Sequence, residues 1–468
     1  MKLSNRTGRM MLAPLLAALV LAGCASVPDI DPSTLPATPA AFKEGDGRWT
    51  LAAPAEVQDR GAWWRAFADP VLDELVERAA RNNTSIQVAA ARLAQARALV
   101  RATDADRLPQ VGLGAGASRQ TDPLARGSAS TLVTAGASLS YEVDLVGRLS
   151  RATDAAALDA QAREALLQST RLLVQADVAQ TYLALRVLDV ERKLVRDTVL
   201  AYQDTLRLIE RRHAAGDVAE LDVARVRSEV AATESEALGL DRLRAELEHA
   251  LAVLVGESAS NFSLAESNVS VAVPVIPAGV PSTVLARRPD VAAAQRSMSA
   301  AHTRVGVAQA AWFPSLALTA DGGYASPALG DLFKWSARTW GVGALLSLPI
   351  FDGGRRAAGV QNAQAELDIA LASYRQQVLV AFKDVEDQLA ALRLLAEQSQ
   401  AQARAVESAA RATTLSGSRY RNGYVSQLEL LDAQRSELRN RRQALQVQAT
   451  QYQATVGLIR ALGGGWGA

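Results

Sequence analysis

The chain has 468 residues with 50 basic and 49 acidic side chains, so its formal net charge is +1. This balance lacks the basic excess that favours nucleic acid as a partner. A single cysteine, Cys24, excludes an intrachain disulfide, and the motifs HExxH, GxSxG and GxxxxGK do not occur. We therefore expect no enzymatic activity, no cofactor and no metal site.

The first 24 residues have the pattern of a bacterial secretory signal. Basic residues at Lys2, Arg6 and Arg9 precede an apolar stretch over 10–22 that is too short to span a bilayer. This stretch ends in Leu21-Ala22-Gly23-Cys24, which resembles the lipobox of lipoprotein signals, although a plain signal with an incidental cysteine is the alternative. The resemblance implies a signal peptide over 1–23 and acylation of Cys24. Because no Asp follows Cys24, it also implies sorting to the outer membrane.

Residues 24–60 are predicted to form an extended, lipid-anchored tether. They contain five prolines, which disfavour regular structure and stiffen a linker. The tether would connect the acylated Cys24 to the body of the protein.

The rest of the chain contains an internal repeat. Leu108-Pro109 matches Phe313-Pro314 at an offset of 205 residues. Gly147-Arg148 matches Gly354-Arg355 at an offset of 207, and Gly216 matches Gly423 at the same offset. These markers predict a first repeat over 61–255 and a second over 290–468. A proline-containing, irregular connector over 256–289 separates them.

Each repeat is predicted as a helix, two strands and two further helices. The first repeat has a helix over about 82–107, strands over about 109–120 and 131–143, and long helices over about 148–213 and 218–255. The second has a helix over 290–312, strands over about 314–325 and 338–350, and helices over about 355–416 and 425–462. The long helix at 148–213 would extend about 100 Å at 1.5 Å per residue. Its continuous apolar seam requires packing against similar helices.

Residues 131–143 alternate strictly between apolar and small or polar residues, and the other predicted strands show a similar pattern. Val133, Ala135, Ala137, Leu139, Tyr141 and Val143 form one such apolar row. The alternation and length are typical of transmembrane strands with an apolar outer face, although a soluble hairpin on a core is the alternative. Four strands cannot end in lipid, because the amides at their edges would lack partners. Two chains would give a nearly filled barrel and three would leave a lumen.

Three segments resemble the outer-membrane factor family, the family of TolC and OprM. They are Trp63-Trp64-Arg65-Ala66-Phe67-Ala68-Asp69-Pro70, Arg419-Tyr420-Arg421-Asn422-Gly423 and Ala461-Leu462-Gly463-Gly464-Gly465-Trp466. The resemblance covers nearly the whole mature chain and is closest to the lipoprotein branch of efflux systems. It implies a mixed α and transmembrane β fold, in which a homotrimer forms a 12-stranded β-barrel in the outer membrane and a long α-helical barrel in the periplasm.

The resemblance also implies a role and partners. Such a channel receives small molecules from an inner-membrane pump, here of the RND type, through a periplasmic adaptor, and contacts outer-membrane lipid but no nucleic acid. A duct for type I protein secretion or polysaccharide secretion is the alternative, since it shares the fold. A periplasmic adaptor fits less well, because adaptors carry one hairpin and short strands.

The two hairpin tips are the predicted periplasmic gate. Gly216 and Gly423 suit left-handed turn positions, and three-fold symmetry would gather like charges near an axis. The resemblance implies that Glu429 and Asp432 form the constriction. Some members carry an arginine where this chain has Val425, so Arg419 is the candidate counter-charge.

Asp222 is the matching gate candidate in the first tip, and the alternative for every gate residue is an ordinary exposed charge. The tips are also the predicted docking site for the adaptor. The candidates, which are turn glycines and apolar residues beside them, are Gly216, Val218, Leu221, Gly423, Val425 and Leu428.

Overall fold

The computed structural model describes residues 37, 39, 41–44, 61–121, 129–267, 273–274, 276, 284 and 287–464. The predicted signal peptide, Cys24 and most of the predicted tether lie outside these ranges. The chain divides into two compact units. One contains Ala91–Glu164 and Ala293–Gln376 and holds all the described strands, and the other contains the remaining described residues.

The first unit contains a four-stranded antiparallel sheet whose strands lie in chain order. The strands are β1 (Gln110–Thr121), β2 (Ala129–Val143), β3 (Ser315–Ser326) and β4 (Arg338–Ser347). Strand β4 ends three residues before the predicted bound at 350, and Pro349, which has no N–H to donate to a ladder, lies in that stretch. Strands β2 and β3 pair with each other, so the hairpins of the two repeats form one sheet with β1 and β4 at its edges.

The register separates the side chains into two distinct faces. Val111, Leu139, Ala320 and Val342 are successive partners across the four strands, so the predicted apolar rows share one face, here called the apolar face. Gly112, Ser138, Asp321 and Gly341 are successive partners on the opposite face, here called the polar face. The sheet is therefore amphipathic, with exposed large side chains such as Leu113 and Trp340 on the apolar face.

Strands β2 and β3 approach each other closely at Gly136 and Gly323. A Cβ on Gly136 would lie 2.8 Å from the carbonyl oxygen of Gly322, and one on Gly323 would collide with the backbone of Ala135. Glycine is needed at both positions because two backbones occupy the space of a side chain. Gly322, next to this pair, has nothing within 4 Å of an added Cβ.

The helices repeat in the same order in both halves. They are α1 (Pro70–Asn82), α2 (Thr84–Ala105), α3 (Arg148–Ala214), α4 (Glu220–Leu254), α5 (Pro289–Ala310), α6 (Arg355–Arg421) and α7 (Gln427–Ala461). Helices α3 and α6 have 67 residues each, and α4 and α7 have 35 each. The offset between matching elements changes from 205 to 207 after β3, so the second repeat has two additional residues before α6.

Helix α2 begins at Thr84 because Asn83 caps its first turn. The side-chain oxygen of Asn83 accepts hydrogen bonds from the backbone N–H groups of Ser85 at 2.9 Å and Ile86 at 3.2 Å. Across the described ranges, no helix combines the length and apolar character that crossing a membrane requires.

Part of the predicted tether is fixed in the second unit. Phe42 is buried against Val284, Val385 and Leu458. The carboxylate of Glu386 on α6 accepts hydrogen bonds from the backbone N–H groups of Lys43 at 2.7 Å and Glu44 at 2.9 Å. The chain is therefore held to the second repeat before it enters the first.

Candidate gate at the hairpin tips

Both hairpin tips have the same turn geometry. Gly216 has a φ of +84° and Gly423 a φ of +76°, a conformation that strains any other residue type. The backbone N–H of the following residue, Asp217 or Tyr424, bonds to the carbonyl of Arg212 or Arg419, at 2.9 Å in each case. This bond closes the helix end as in a Schellman motif. The two repeats therefore form equivalent backbone hydrogen bonds at their turns.

The helices that leave the two tips begin differently. Helix α4 follows Ala219, which has no side chain able to cap it, whereas the Ser426 hydroxyl accepts a bond from the backbone N–H of Glu429 at 3.3 Å. The capped turn also carries the Glu429 carboxylate, which the positive end of the helix dipole stabilises. The second tip thus has a side-chain cap at the helix start that carries Glu429, which the first tip lacks at the start that carries Asp222.

The predicted gate charges of the second tip form two separate ion pairs. Arg419 lies 3.8 Å from Glu429 across the turn, and both side chains are exposed. Asp432 instead lies 3.5 Å from Arg435, one turn along its own helix. The structure therefore brings Arg419 together with Glu429, as expected for the counter-charge, but not with Asp432.

In the first tip, the predicted gate residue Asp222 has a local partner. It lies 3.7 Å from Arg225 on its own helix. Arg212, which corresponds to Arg419 in the repeat, donates a hydrogen bond to the Tyr420 hydroxyl at 3.1 Å. Arg212 therefore links the two tips of one chain, and the first tip has no counterpart of the Arg419–Glu429 pair among the described residues.

The docking candidates differ in how accessible they are. Leu221 is 58 % exposed and Leu428 is 40 % exposed. Val425 is half-buried, and Val218 packs on a cluster of Ile209, Val223 and Val226 inside the first tip. The two leucines are thus available to a partner, whereas Val218 mainly stabilises the turn.

Tyr424 was not predicted as a docking residue. It directly follows Gly423 and is 76 % exposed, the largest exposed side chain of either turn. Its counterpart in the first tip is Asp217. This difference between the two repeats was the sequence signal that could have identified Tyr424.

Arg435 is a second residue that sequence reasoning missed. Its Nε donates to the Glu229 carboxylate on α4 at 2.8 Å, and that carboxylate is only 15 % exposed. These hydrogen bonds raise the pKa of the Arg435 guanidinium. Because Arg435 also contacts Asp432, it connects a gate carboxylate to the helix of the other repeat.

The same contact recurs one heptad further from the tip. Arg442 bonds to the Glu191 carboxylate at 2.7 Å and also pairs with Glu236, seven residues after Glu229. Helix α7 is therefore fixed to α3 and α4 by a ladder of arginines, here called the arginine ladder (Arg435 and Arg442). Heptad spacing on both helices was its signal in the sequence.

Residues 75–257 and 280–464 match the model of the Outer membrane efflux protein family. The chain belongs to this family. It is similar to the pyoverdine export outer membrane protein OpmQ of Pseudomonas aeruginosa, with 35 % identity over 97 % of each chain. It is also similar to the cation efflux system protein CusC of Escherichia coli, with 31 % identity over 97 % of this chain and 98 % of that protein.

Solved structures of the family have the same fold. The outer-membrane channel OprN superposes with a TM-score of 0.85 and 30 % identity, over 95 % of this chain and all of that one. The expected fold class and family are confirmed. The chain is an outer-membrane efflux channel that extends into the periplasm.

Removing Arg435 is expected to loosen α7 from α4. In Arg435→Ala the Glu229 carboxylate, which is mostly buried, loses its partner, and this should cost about 1 kcal/mol or more. The measurement is the thermal unfolding midpoint of the purified protein. Arg439→Ala is the control, since Arg439 is an exposed arginine one turn further that forms no ion pair among the described residues. Equal midpoints in the two variants would contradict the role given to Arg435.

Proposed function

We propose that the chain is the channel component of a tripartite efflux system and that it works as a homotrimer. The observation that carries this proposal is the four-stranded sheet with two free edges, on β1 and β4. In lipid each edge must find a partner, so β4 of one copy would pair with β1 of the next. Three copies would close a barrel of 12 strands with a lumen.

The polar face would line that lumen. It carries small and polar residues such as Gly112, Ser138, Thr319 and Gly341, which select weakly among solutes. The names of two relatives give pyoverdine and cations as cargo, although both resemble this chain over nearly its whole length. We infer that the pump chooses the cargo, that the channel passes small molecules without chemistry, and that the energy comes from the inner membrane.

The hairpin tips would close the channel on the periplasmic side. Three-fold symmetry would place three copies of Glu429 and three of Asp432 around one axis. Arg419 and Arg435 lie close enough to offset the repulsion between these carboxylates. The Arg419–Glu429 pair would then be a contact that holds the closed state.

Removing the carboxylates is expected to open the gate. The double substitution Glu429→Ala and Asp432→Ala removes both carboxylate rings and leaves Arg419 without its partner, so three Arg419 charges would repel each other, whereas Arg435 keeps its bond to Glu229. Single-channel conductance in a planar lipid bilayer should rise several-fold. The matched control replaces two exposed carboxylates on α6, Glu397 and Glu407, with alanine. Unchanged conductance in the tip variant would discard the gate assignment.

The apolar residues of the tips would meet the periplasmic adaptor. Leu221, Leu428 and Tyr424 are exposed beside the turns, where a helical partner could bury them. Gly216 and Gly423 would keep the turns tight, and Val218 and Val425 would support them from below.

Efflux in cells tests both the proposed function and the docking residues. A strain without the gene should become sensitive to small toxic compounds, and the wild-type gene should restore resistance. The variant with Leu221→Asp and Leu428→Asp should fail to restore it, because the charges oppose burial in the interface. Ser228→Asp and Ser436→Asp, on exposed positions of α4 and α7, are the control. Resistance restored equally by both variants would exclude the leucines from docking.

The secretion alternative predicts a different phenotype. Deletion would then leave sensitivity to small compounds unchanged and would remove a protein or polysaccharide from the medium. The genes beside this one, which would encode the pump and adaptor, provide an independent check.

A lipid anchor at Cys24 remains part of the proposal. The docked residues 41–44 follow Cys24 by only 17–20 residues, which is at most about 65 Å of extended chain. Cys24→Ser should abolish incorporation of radiolabelled palmitate, with the wild-type chain as the control. Labelling that persists in the variant would show that the lipobox interpretation is wrong.

A further inference from the structure

A groove of about 540 Å³ lies on the sheet beside the loop that joins β3 and β4. Its floor contains only small residues from three strands, namely Ala115, Ala135, Ala137 and Gly322. Register places all four on the apolar face. The groove is therefore a depression in an apolar surface.

Large side chains surround this floor. Leu113 lines the groove on the β1 side. Trp340 on β4, just outside the lining, is the direct partner of Gly322. At the end far from the helices, the rings of Tyr324 and Phe333 meet edge to face with centroids 5.4 Å apart. Phe333 belongs to the loop after β3, which the buried side chain of Leu332 fixes in place. Leu113, Tyr324 and Phe333 therefore border the groove, and Gly322 leaves space at its floor.

The guanidinium of Arg338 lies at the same end of the groove as Tyr324. Arg338 is the cross-strand partner of Tyr324, so both start from the apolar face. Its guanidinium lies over the Trp335 ring, 2.9 Å from the centroid, and has no carboxylate partner among the described residues. Lys334 nearby is already paired with Asp331 at 2.6 Å. Arg338 is thus an available positive charge beside Tyr324 at this end of the groove.

We propose that this groove binds an acyl chain of lipid A, the phosphorylated glycolipid of the outer leaflet, with a lipid A phosphate at Arg338. The inference rests on the proposed barrel, which turns the apolar face toward lipid and the β3–β4 loop toward the outside. Tryptophan and tyrosine favour the level of the lipid headgroups, where Trp335, Trp340 and Tyr324 would then lie. A zwitterionic phospholipid could fill the groove but would leave Arg338 without a net negative partner.

Two substitutions test the contributions of the groove and of the Arg338 charge to binding separately. Gly322→Val fills the floor without a clash, because an added Cβ there meets nothing within 4 Å. Arg338→Gln removes the charge and keeps a polar side chain of similar reach. Gly114→Val is the matched control, since Gly114 also has open space but lies on the polar face.

Native mass spectrometry of the purified full-length protein with added lipid A measures binding. The wild type should retain lipid A more than phosphatidylethanolamine. Arg338→Gln should lower retention of lipid A about fivefold, the equivalent of about 1 kcal/mol for one cation near anionic lipid, and leave dephosphorylated lipid A unaffected. Gly322→Val should lower retention of both forms, and Gly114→Val should match the wild type.

Three outcomes would overturn the site. These are equal retention by all variants, an equal loss in Gly114→Val and Gly322→Val, or equal retention of lipid A and phosphatidylethanolamine by the wild type. The same spectra report the mass of the oligomer. A species other than a trimer would count against the proposed function, whereas the lipid ratios decide the site separately.

Discussion

The free edges of the four-stranded sheet constrain everything else in this molecule. Strands β1 and β4 each expose a row of backbone N–H and C=O groups on their outer sides. In hydrocarbon an unpaired group of this kind costs several kcal/mol, which no side chain in the strand can offset. Each repeat contributes one hairpin, and pairing between β2 and β3 joins the two hairpins into a four-stranded sheet. The outer sides of β1 and β4 remain unpaired within the chain. A channel built from this unit therefore needs further copies.

The duplication also gives two tips that share a backbone but differ in chemistry. Gly216 and Gly423 occupy the same left-handed position and close the same hydrogen bond. The second tip has a serine cap and the Arg419–Glu429 pair, whereas the first has no side-chain cap and pairs Arg212 with Asp217 at 4.0 Å. This difference fits the proposed division of roles. The first turn would support the second through the hydrogen bond from Arg212 to Tyr420, and the second would carry the gate.

Local signals explain what could be predicted from the sequence. Proline and glycine mark the ends of strands and helices. Proline fixes its own φ angle and cannot donate a backbone hydrogen bond, whereas glycine adopts the positive φ angles that turns require. The offsets of 205 and 207 between such markers thus reappear between α2 and α5 and between α3 and α6. The alternation in β2 was equally informative, since the side chains of a strand point alternately to its two faces.

Contacts between distant residues account for what was missed. Arg435 finds Glu229 across 206 positions, and Phe42 packs on helices that follow more than 300 residues later. In each case tertiary packing decides the outcome, and the residue's own neighbours in the sequence carry little trace of it.

The strengths of the ion pairs determine how the proposed gate could work. An exposed pair such as Arg419–Glu429 contributes about 0.2–1 kcal/mol, so three copies would contribute about 0.6–3 kcal/mol to the closed state. That is a ratio of closed to open of about 3 to 150, and an adaptor needs only a comparable preference for the open tips to reverse it. Burial of Leu221, Leu428 and Tyr424 can supply such a preference. The arginine ladder is less exposed and ties α7 to α3 and α4, so movement would be confined to the tips while the helices behind them stay packed.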